Sequence, residues 1–177
     1  MVIEDIHEID LTPELEIEIA AVIEAAFGSN GGYAGRSYFK QRHSLRVIAR
    51  VGGALVGHIA LVFREICVGD RHIPIMGVAE VATDPRFQGQ GIASALLKHA
   101  IERSQRTQAR FLLLFGVRPI YAGHGFQEAR NDLTWVAMQD MRTVGTETRP
   151  ARAFLYLPLS DERWDNHAPI DLLGPTF

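Results

Sequence analysis

Cysteine is almost missing: Cys67 is the single one in 177 residues. That excludes an internal disulfide and a thiolate metal cluster, and it fits a reducing compartment. Cys67 lies in the apolar stretch Ile66-Cys67-Val68 and reads as a small buried hydrophobe rather than a nucleophile. Long apolar runs are missing too; none approaches the ~18 residues of a membrane-spanning helix. The opening Met1-Val2-Ile3-Glu4-Asp5 lacks the basic start of a secretory signal. There is no excess of positive charge: 18 basic against 21 acidic residues give a formal net charge of −3. That argues against nucleic acid as the partner, because neutralising phosphates needs clustered Lys and Arg. Internal repeats and low-complexity tracts are absent. What remains is 47% hydrophobic and 22% charged, enough apolar surface for a core without staples. The expectation is a cytoplasmic protein, neither membrane-bound nor nucleic-acid-bound, with one domain over 1–177.

Local signals give the elements. Thr12-Pro13-Glu14 reads as a helix start, with Leu15, Ile19, Val22, Ile23 and Ala26 on one face and Gly28 as terminator. A glycine-rich loop over 29–35 follows, then a short helix over 38–42. Leu45 to Val51, the turn Gly52-Gly53 and Ala54 to Phe63 predict a hairpin, and 65–68 with 71–83 a second one. A helix is expected from about Gly91 to Arg106. Phe111 to Phe115 is a continuous apolar run, typical of a strand covered on both faces. A short helix around 118–122, strands over 133–138 and 154–159, and a polar connection over 142–152 complete the chain. Hairpins, then a strand-helix-strand unit, then closing strands predict an α+β fold: a mixed sheet with helices on both faces.

The most informative stretch is Val81-Ala82-Thr83-Asp84-Pro85-Arg86-Phe87-Gln88-Gly89-Gln90-Gly91-Ile92-Ala93-Ser94. A strand ends, and a glycine-rich loop opens into an amphipathic helix. Gly89 and Gly91 let the backbone approach a ligand closely. Amides at the helix start lack intrahelical partners and sit at the positive end of the dipole. The combination suits a pyrophosphate. A dinucleotide fingerprint fits poorly, since Ser94 replaces the third glycine and 111–116 supplies no acidic residue. A Walker loop fails for lack of Gly-Lys-Ser/Thr.

Gln88-Gly89-Gln90-Gly91-Ile92-Ala93 matches Gln/Arg-x-x-Gly-x-Gly/Ala and resembles the acetyl-CoA pyrophosphate loop of the GNAT superfamily of N-acyltransferases. Ile120-Tyr121-Ala122-Gly123-His124-Gly125-Phe126 is similar to that family's Leu-Tyr-x-x-x-Gly-Phe segment. The resemblance covers about 45–126. Trp164 to Pro175 reads Trp-x5-Ile-Asp-x2-Gly-Pro and is similar to the tail of the Nod-factor N-acyltransferase; aminoglycoside 2'-N-acetyltransferases close with a shorter Trp-containing tail.

The resemblance implies a GNAT acyl-CoA N-acyltransferase fold, with a tail over 160–177 completing the acceptor side. It implies acetyl-CoA as co-substrate, no metal, and a small-molecule amine as acceptor. The cofactor-binding positions would be Val81, Ala82, Thr83, Gln88, Gly89, Gln90, Gly91, Ile92 and Ala93. The Val81 amide would polarise the thioester carbonyl, Thr83 bond the pantetheine, and the 89–93 amides hold the pyrophosphate. Tyr121 matches the family's general acid. Glu80, in an apolar strand where burial would raise its pKa, is the candidate base through water, with His58 and His124 as alternatives. Strand alternation would turn Glu80 and Val81 to opposite faces. Trp164 and Asp171 are the candidate acceptor-side residues, and an acidic tail would suit a cationic amino sugar or aminoglycoside. Leu114 stands where many relatives carry Asn, and Gln88 replaces the commoner Arg. Three alternatives stay open: a longer acyl donor of the Nod-factor type, a non-catalytic acyl-CoA-binding regulatory module, and a homodimeric state.

Overall fold

The computed structural model describes residues 1–29 and 31–177. Asn30, within the expected loop over 29–35, lies outside the described residues. The chain divides into two units, Met1–Val62 with Ala79–Ile101 and Phe63–Val78 with Glu102–Phe177. Strands β3 (Ala54–Val68) and β4 (Arg71–Thr83) run through both.

In the first unit, β1 (Val2–His7) lies antiparallel to β2 (Leu45–Val51), from Val2 opposite Arg50 to His7 opposite Leu45. β2 pairs antiparallel with β3 across Gly52-Gly53, whose φ values of +59° and +86° are those of a two-residue primed turn. Helix α1 (Pro13–Phe27) begins as its sequence predicts: the Thr12 hydroxyl accepts the Leu15 N–H, and Gly28 ends it at φ +79°. Its buried face, Ile19, Val22 and Ile23, packs with Ile48, Leu55 and Ala82. Helix α2 (Ile92–Gln105) presses on β3 at Gly57, where a Cβ would stand 2.8 Å from both Ile92 Cγ2 and Leu96 Cδ1.

In the second unit, β5 (Phe111–Phe115) runs parallel to β4 from Ile75 opposite Phe111 to Val78 opposite Leu114. On its other edge lies antiparallel β9 (Phe154–Pro158), followed by β6 (Gln127–Glu128). β7 (Asp132–Gln139) and β8 (Arg142–Pro150) form a hairpin. β10 (Ile170–Asp171) is antiparallel to β3 and parallel to β7. Helix α3 (Pro119–Gly123) is a single turn. The core gathers Ile66, Ile75, Phe111, Leu113, Leu133, Phe154 and Tyr156. The mixed sheet expected from the element order is present. Among the described residues no helix is long and apolar enough to cross a membrane.

Three local expectations change, and one strand, β1, appears where none was expected. Residues 142–152 hold strand β8 instead of a polar connection; its side chains are almost all exposed, so its pairing leaves no apolar alternation to read. Residues 38–42 form bends and no helix, because tertiary partners hold them: Phe39 N–H donates to Glu80 and Arg42 to Glu8 and Glu16. β1 had no signal, since most of it is exposed. Cys67 is half-buried, with its Sγ 3.7 Å from His72 Nε2.

Gly57→Ala forces the first turn of α2 off β3. We expect a loss of about 1–3 kcal/mol from overpacking, read as a lowered Tm in thermal denaturation.

Candidate active site

The glycine-rich loop is fixed at its entrance. Asp84 N–H donates to the Val56 carbonyl at 2.9 Å, and the Asp84 carboxylate accepts the Arg86 N–H at 2.9 Å. The Arg86 guanidinium returns to the same carboxylate at 2.6 Å, holding it below the usual carboxylate range. The Gln88 side-chain amide reaches the Thr83 carbonyl at 3.5 Å. Gly89 and Gly91 take φ +76° and +77°, the left-handed region that favours glycine, and open space surrounds the place of a Cβ at each. The first bond of α2 runs from Ala95 N–H to the Gly91 carbonyl at 3.0 Å. The amides ahead of it have no acceptor within the helix, and the dipole adds positive potential. Ala82 and Ile92 bury their side chains, so only their main chains are available to a ligand. The Thr83 hydroxyl is buried without a hydrogen-bond partner.

Glu80 organises the other half of this unit. It has φ +52°, and among the described residues it is the one non-glycine residue inside a strand with a left-handed backbone. Such a conformation costs about 1–3 kcal/mol and persists only where its surroundings enforce it. The enforcing partners are plain. The Glu80 carbonyl accepts from His58 Nδ1 at 3.0 Å. Its carboxylate accepts the Phe39 N–H at 2.7 Å and His43 Nε2–H at 2.7 Å, with Arg46 Nη1 at 3.6 Å. The turn interrupts the simple alternation expected along β4.

Arg46 is fully buried and serves both sides of this network. It donates to Glu8 at 2.7 and 3.1 Å, to the Ser37 carbonyl at 2.6 Å and to His58 Nε2 at 3.3 Å. Burial, then the Arg46 charge, pushes the His58 pKa well below its ordinary value, so the ring is neutral. One of its nitrogens donates and the other accepts, which removes His58 as a base. Burial pulls the Glu8 carboxyl up, but bonds and charge from Arg46 and Arg42 outweigh it and hold it low.

His43 was not singled out by the sequence, where nothing marks it. A carboxylate only accepts, so His43 Nε2 carries the hydrogen shared with Glu80. In the neutral ring Nδ1 then holds a lone pair, and it is buried with no partner. Both side chains of the pair are 5% exposed.

In the second unit, Tyr121 sits on α3 with its ring over Gly116, where a Cβ would lie 2.5 Å from Tyr121 Cε2. Burial raises its pKa, only partly offset by the Arg118 charge, so the hydroxyl is protonated at neutral pH. His124 Nδ1 bonds the Ile120 carbonyl at 2.9 Å. Trp164 stacks on Tyr156 at 4.8 Å and donates its indole N–H to Asn131 at 3.0 Å. Asp171 accepts the Leu173 N–H at 2.8 Å. Both tail residues thus have structural partners of their own.

Strand β4 thus carries a left-handed carboxylate near its end and leads into a two-glycine cradle and a helix start. The profile of the acetyltransferase (GNAT) domain matches residues 9–129, and the chain belongs to that family. It is 32% identical over 92 residues to YjhQ, an uncharacterized N-acetyltransferase of Escherichia coli (strain K12). That match takes in 51% of this chain and spans only half (50%) of the relative's length. The fold is similar to a GNAT family acetyltransferase from Brucella melitensis solved in complex with acetyl-CoA (TM-score 0.61, 20% identity, 96% of this chain and 94% of that one). It is also similar to the GNAT family N-acetyltransferase YhbS from Escherichia coli, solved with CoA (TM-score 0.64, 20% identity, 96% and 88%).

The buried network makes stability depend on pH. His58 is neutral when folded, while in the unfolded chain it protonates near its ordinary pKa of 6.5. Protons therefore favour the unfolded state as pH falls. His58 leaves stability unchanged above about pH 7 and removes up to ~1.4 kcal/mol per pH unit below about 6.5. Glu8 acts further down: its contribution is present above the ordinary 4.5 and is lost as pH falls through its lowered value. Denaturant titrations of His58→Gln between pH 7 and 5.5 should show this slope flattened.

Proposed function

We propose that the chain transfers an acetyl group from acetyl-CoA to a primary amine of a small molecule, the whole span 1–177 acting as one transferase domain. The observation that carries this reading is the cradle at 88–93. It offers amides, a helix dipole and open space at two left-handed glycines, beside a buried hydroxyl with nothing to bond. These features fit coenzyme A. Amides from Gly89 to Ala93 would hold the diphosphate, with Gln88 and Gln90 flanking the loop. Thr83 Oγ1 and the main chain of Val81 and Ala82 would take the pantetheine amides. Acetyl-CoA supplies an activated thioester carbonyl.

The residues then have two proton tasks. An amine with a pKa of about 10.4 is mostly protonated at pH 7, a deficit of roughly 4 to 5 kcal/mol. Glu80 and His43 form the accepting pair: Glu80 fixes the ring, and Nδ1 takes the proton that the amine gives up as its bond to the acyl carbon forms. Tyr121 Oη returns a proton to the sulfur as the carbon–sulfur bond breaks. The β4–β5 ladder ends at Val78 and Leu114; beyond it the edge of β4 has main-chain groups with no β5 partner. The Val81 N–H is the donor we assign to the carbonyl oxygen.

An amino-sugar or aminoglycoside acceptor would rest on the tail. There Glu162 is drawn to Arg71, Asp165 accepts the His167 N–H and Asp171 the Leu173 N–H. Those acids are engaged within the chain, so the tail gives that finer reading no support.

Calorimetry should show coenzyme A binding to the wild type, and Gly91→Val should weaken it at least 100-fold; no binding to the wild type ends this reading. Tyr121→Phe should lower kcat by about 10² or more while leaving coenzyme A affinity intact. His43→Gln should lower kcat comparably while leaving coenzyme A affinity intact; an unchanged kcat removes His43 from the mechanism.

A further inference from the structure

Two of the cavities of the second unit differ in their lining. The larger, about 580 Å³, includes Arg71, Arg110 and Glu162 in its lining. Both guanidiniums lean on the Glu162 carboxylate, which offsets one of the two charges. The smaller, about 390 Å³, is walled by Phe115, Leu133 and Trp135 and faced by Arg149, Arg152 and Thr176, with no acidic residue in its lining. Arg149 turns to Glu147 at 2.6 Å, while Arg152 has no ion pair among the described residues.

The Phe177 ring lies 5.6 Å from Phe115 and settles on β4 at Gly77, where a Cβ would stand 2.7 Å from it. The same ring is 4.9 Å from Arg64 Cζ. Gly174 lets the tail pass, since a Cβ there would meet Arg64 Nη1 at 3.0 Å. Beneath this cover Arg64 has no ion pair among the described residues, and its Nε and Nη2 are buried without a hydrogen-bond partner. Burial draws its pKa down to about 10.

The two idle atoms form one edge of the guanidinium. That edge presents two parallel N–H bonds, the spacing a carboxylate accepts in two-pronged fashion. A ring face beside the guanidinium does not satisfy in-plane donors, and a lone buried cation is a liability to the fold. Its chemistry fits an anion that arrives from outside. The neighbouring cavity adds an aromatic wall.

We propose that the second unit binds a small molecule by its carboxylate, received by the Nε–Nη2 edge of Arg64, with the apolar body of that molecule against Phe115 and Trp135. The Phe177 ring, in contact with both Arg64 and Phe115, gives way to admit it. The ligand is then amino-acid-like, with an aromatic or large apolar side chain. This recognition stands apart from the transferase reading and is measured without acetyl-CoA.

The test titrates the full chain by calorimetry with L-phenylalanine, L-tyrosine and L-tryptophan, with the matching amides, and with phosphoethanolamine. The acids should bind at least tenfold more tightly than their amides. Arg64→Met should erase that preference, leave coenzyme A affinity unchanged and keep Tm equal or higher, because it removes an uncompensated buried charge. Arg64→Lys keeps the charge without the two-pronged edge, so a reduced preference is expected there; it also serves should Arg64→Met not fold. The wild-type comparison of acid with amide stands without any variant. Equal binding of acids and amides, no binding of either, tighter binding of phosphoethanolamine, or a lower Tm in Arg64→Met would each overturn the proposal. Failure of coenzyme A to bind would instead remove the transferase reading and leave the acid titration to be judged alone.

Discussion

Arg46 lies wholly out of water, and a buried guanidinium must find its counter-charges and acceptors inside the fold. It finds Glu8 just after β1, Ser37 in the connection before β2, His58 on β3 and the Glu80 carboxylate on β4. These partners come from segments far apart in sequence. The cation thus ties three strands and a loop of the first unit to one point. Removing it would leave two carboxylates facing each other across the gap. Removing Glu8 or Glu80 would leave the cation short of charge. The arrangement stands only as a whole, and it allows a non-glycine residue to hold a left-handed backbone near the end of a strand.

That enforced turn connects the charge network to chemistry. Glu80 gives its carbonyl to His58 and its carboxylate to Phe39 and His43, so its two ends are fixed independently. His58 is locked neutral by donating on one side and accepting on the other. His43 keeps one nitrogen uncommitted. Two histidines near one glutamate thus differ in availability because one is saturated and the other is not. In the loop that follows the same strand the logic reverses. There the backbone is stripped of side chains at Gly89 and Gly91, and positive potential comes from aligned peptide groups.

Much of this could be read before any coordinates. The Thr12 cap, the Gly52-Gly53 turn, the buried run at 111–114 and the loop at 88–93 are encoded by neighbours within a few positions. Local sequence carries local physics, and the family resemblance rested on those stretches. The pairing of His43 with Glu80 spans 37 positions and leaves no periodic trace. Arg64 looks like any strand arginine until the tail is seen to cover it. Strand β8 is written in exposed polar residues, whose pairing is a main-chain property. Glu80 was marked by its apolar surroundings, but no residue pattern announces its φ angle or its contact with His43.

The placement of β10 bears on how the second unit forms. Two residues, Ile170 and Asp171, bond antiparallel to β3 on one side and parallel to β7 on the other. Both neighbours must already be in position before so short a segment gains anything by docking. Until then β3 and β7 each present an unpaired edge, the kind that recruits other chains. Contacts between segments this distant in sequence also form slowly. The tail is therefore the late-closing seam of this unit. Crowded or hot conditions that delay its closure would promote aggregation through those two bare edges before they affect the finished fold.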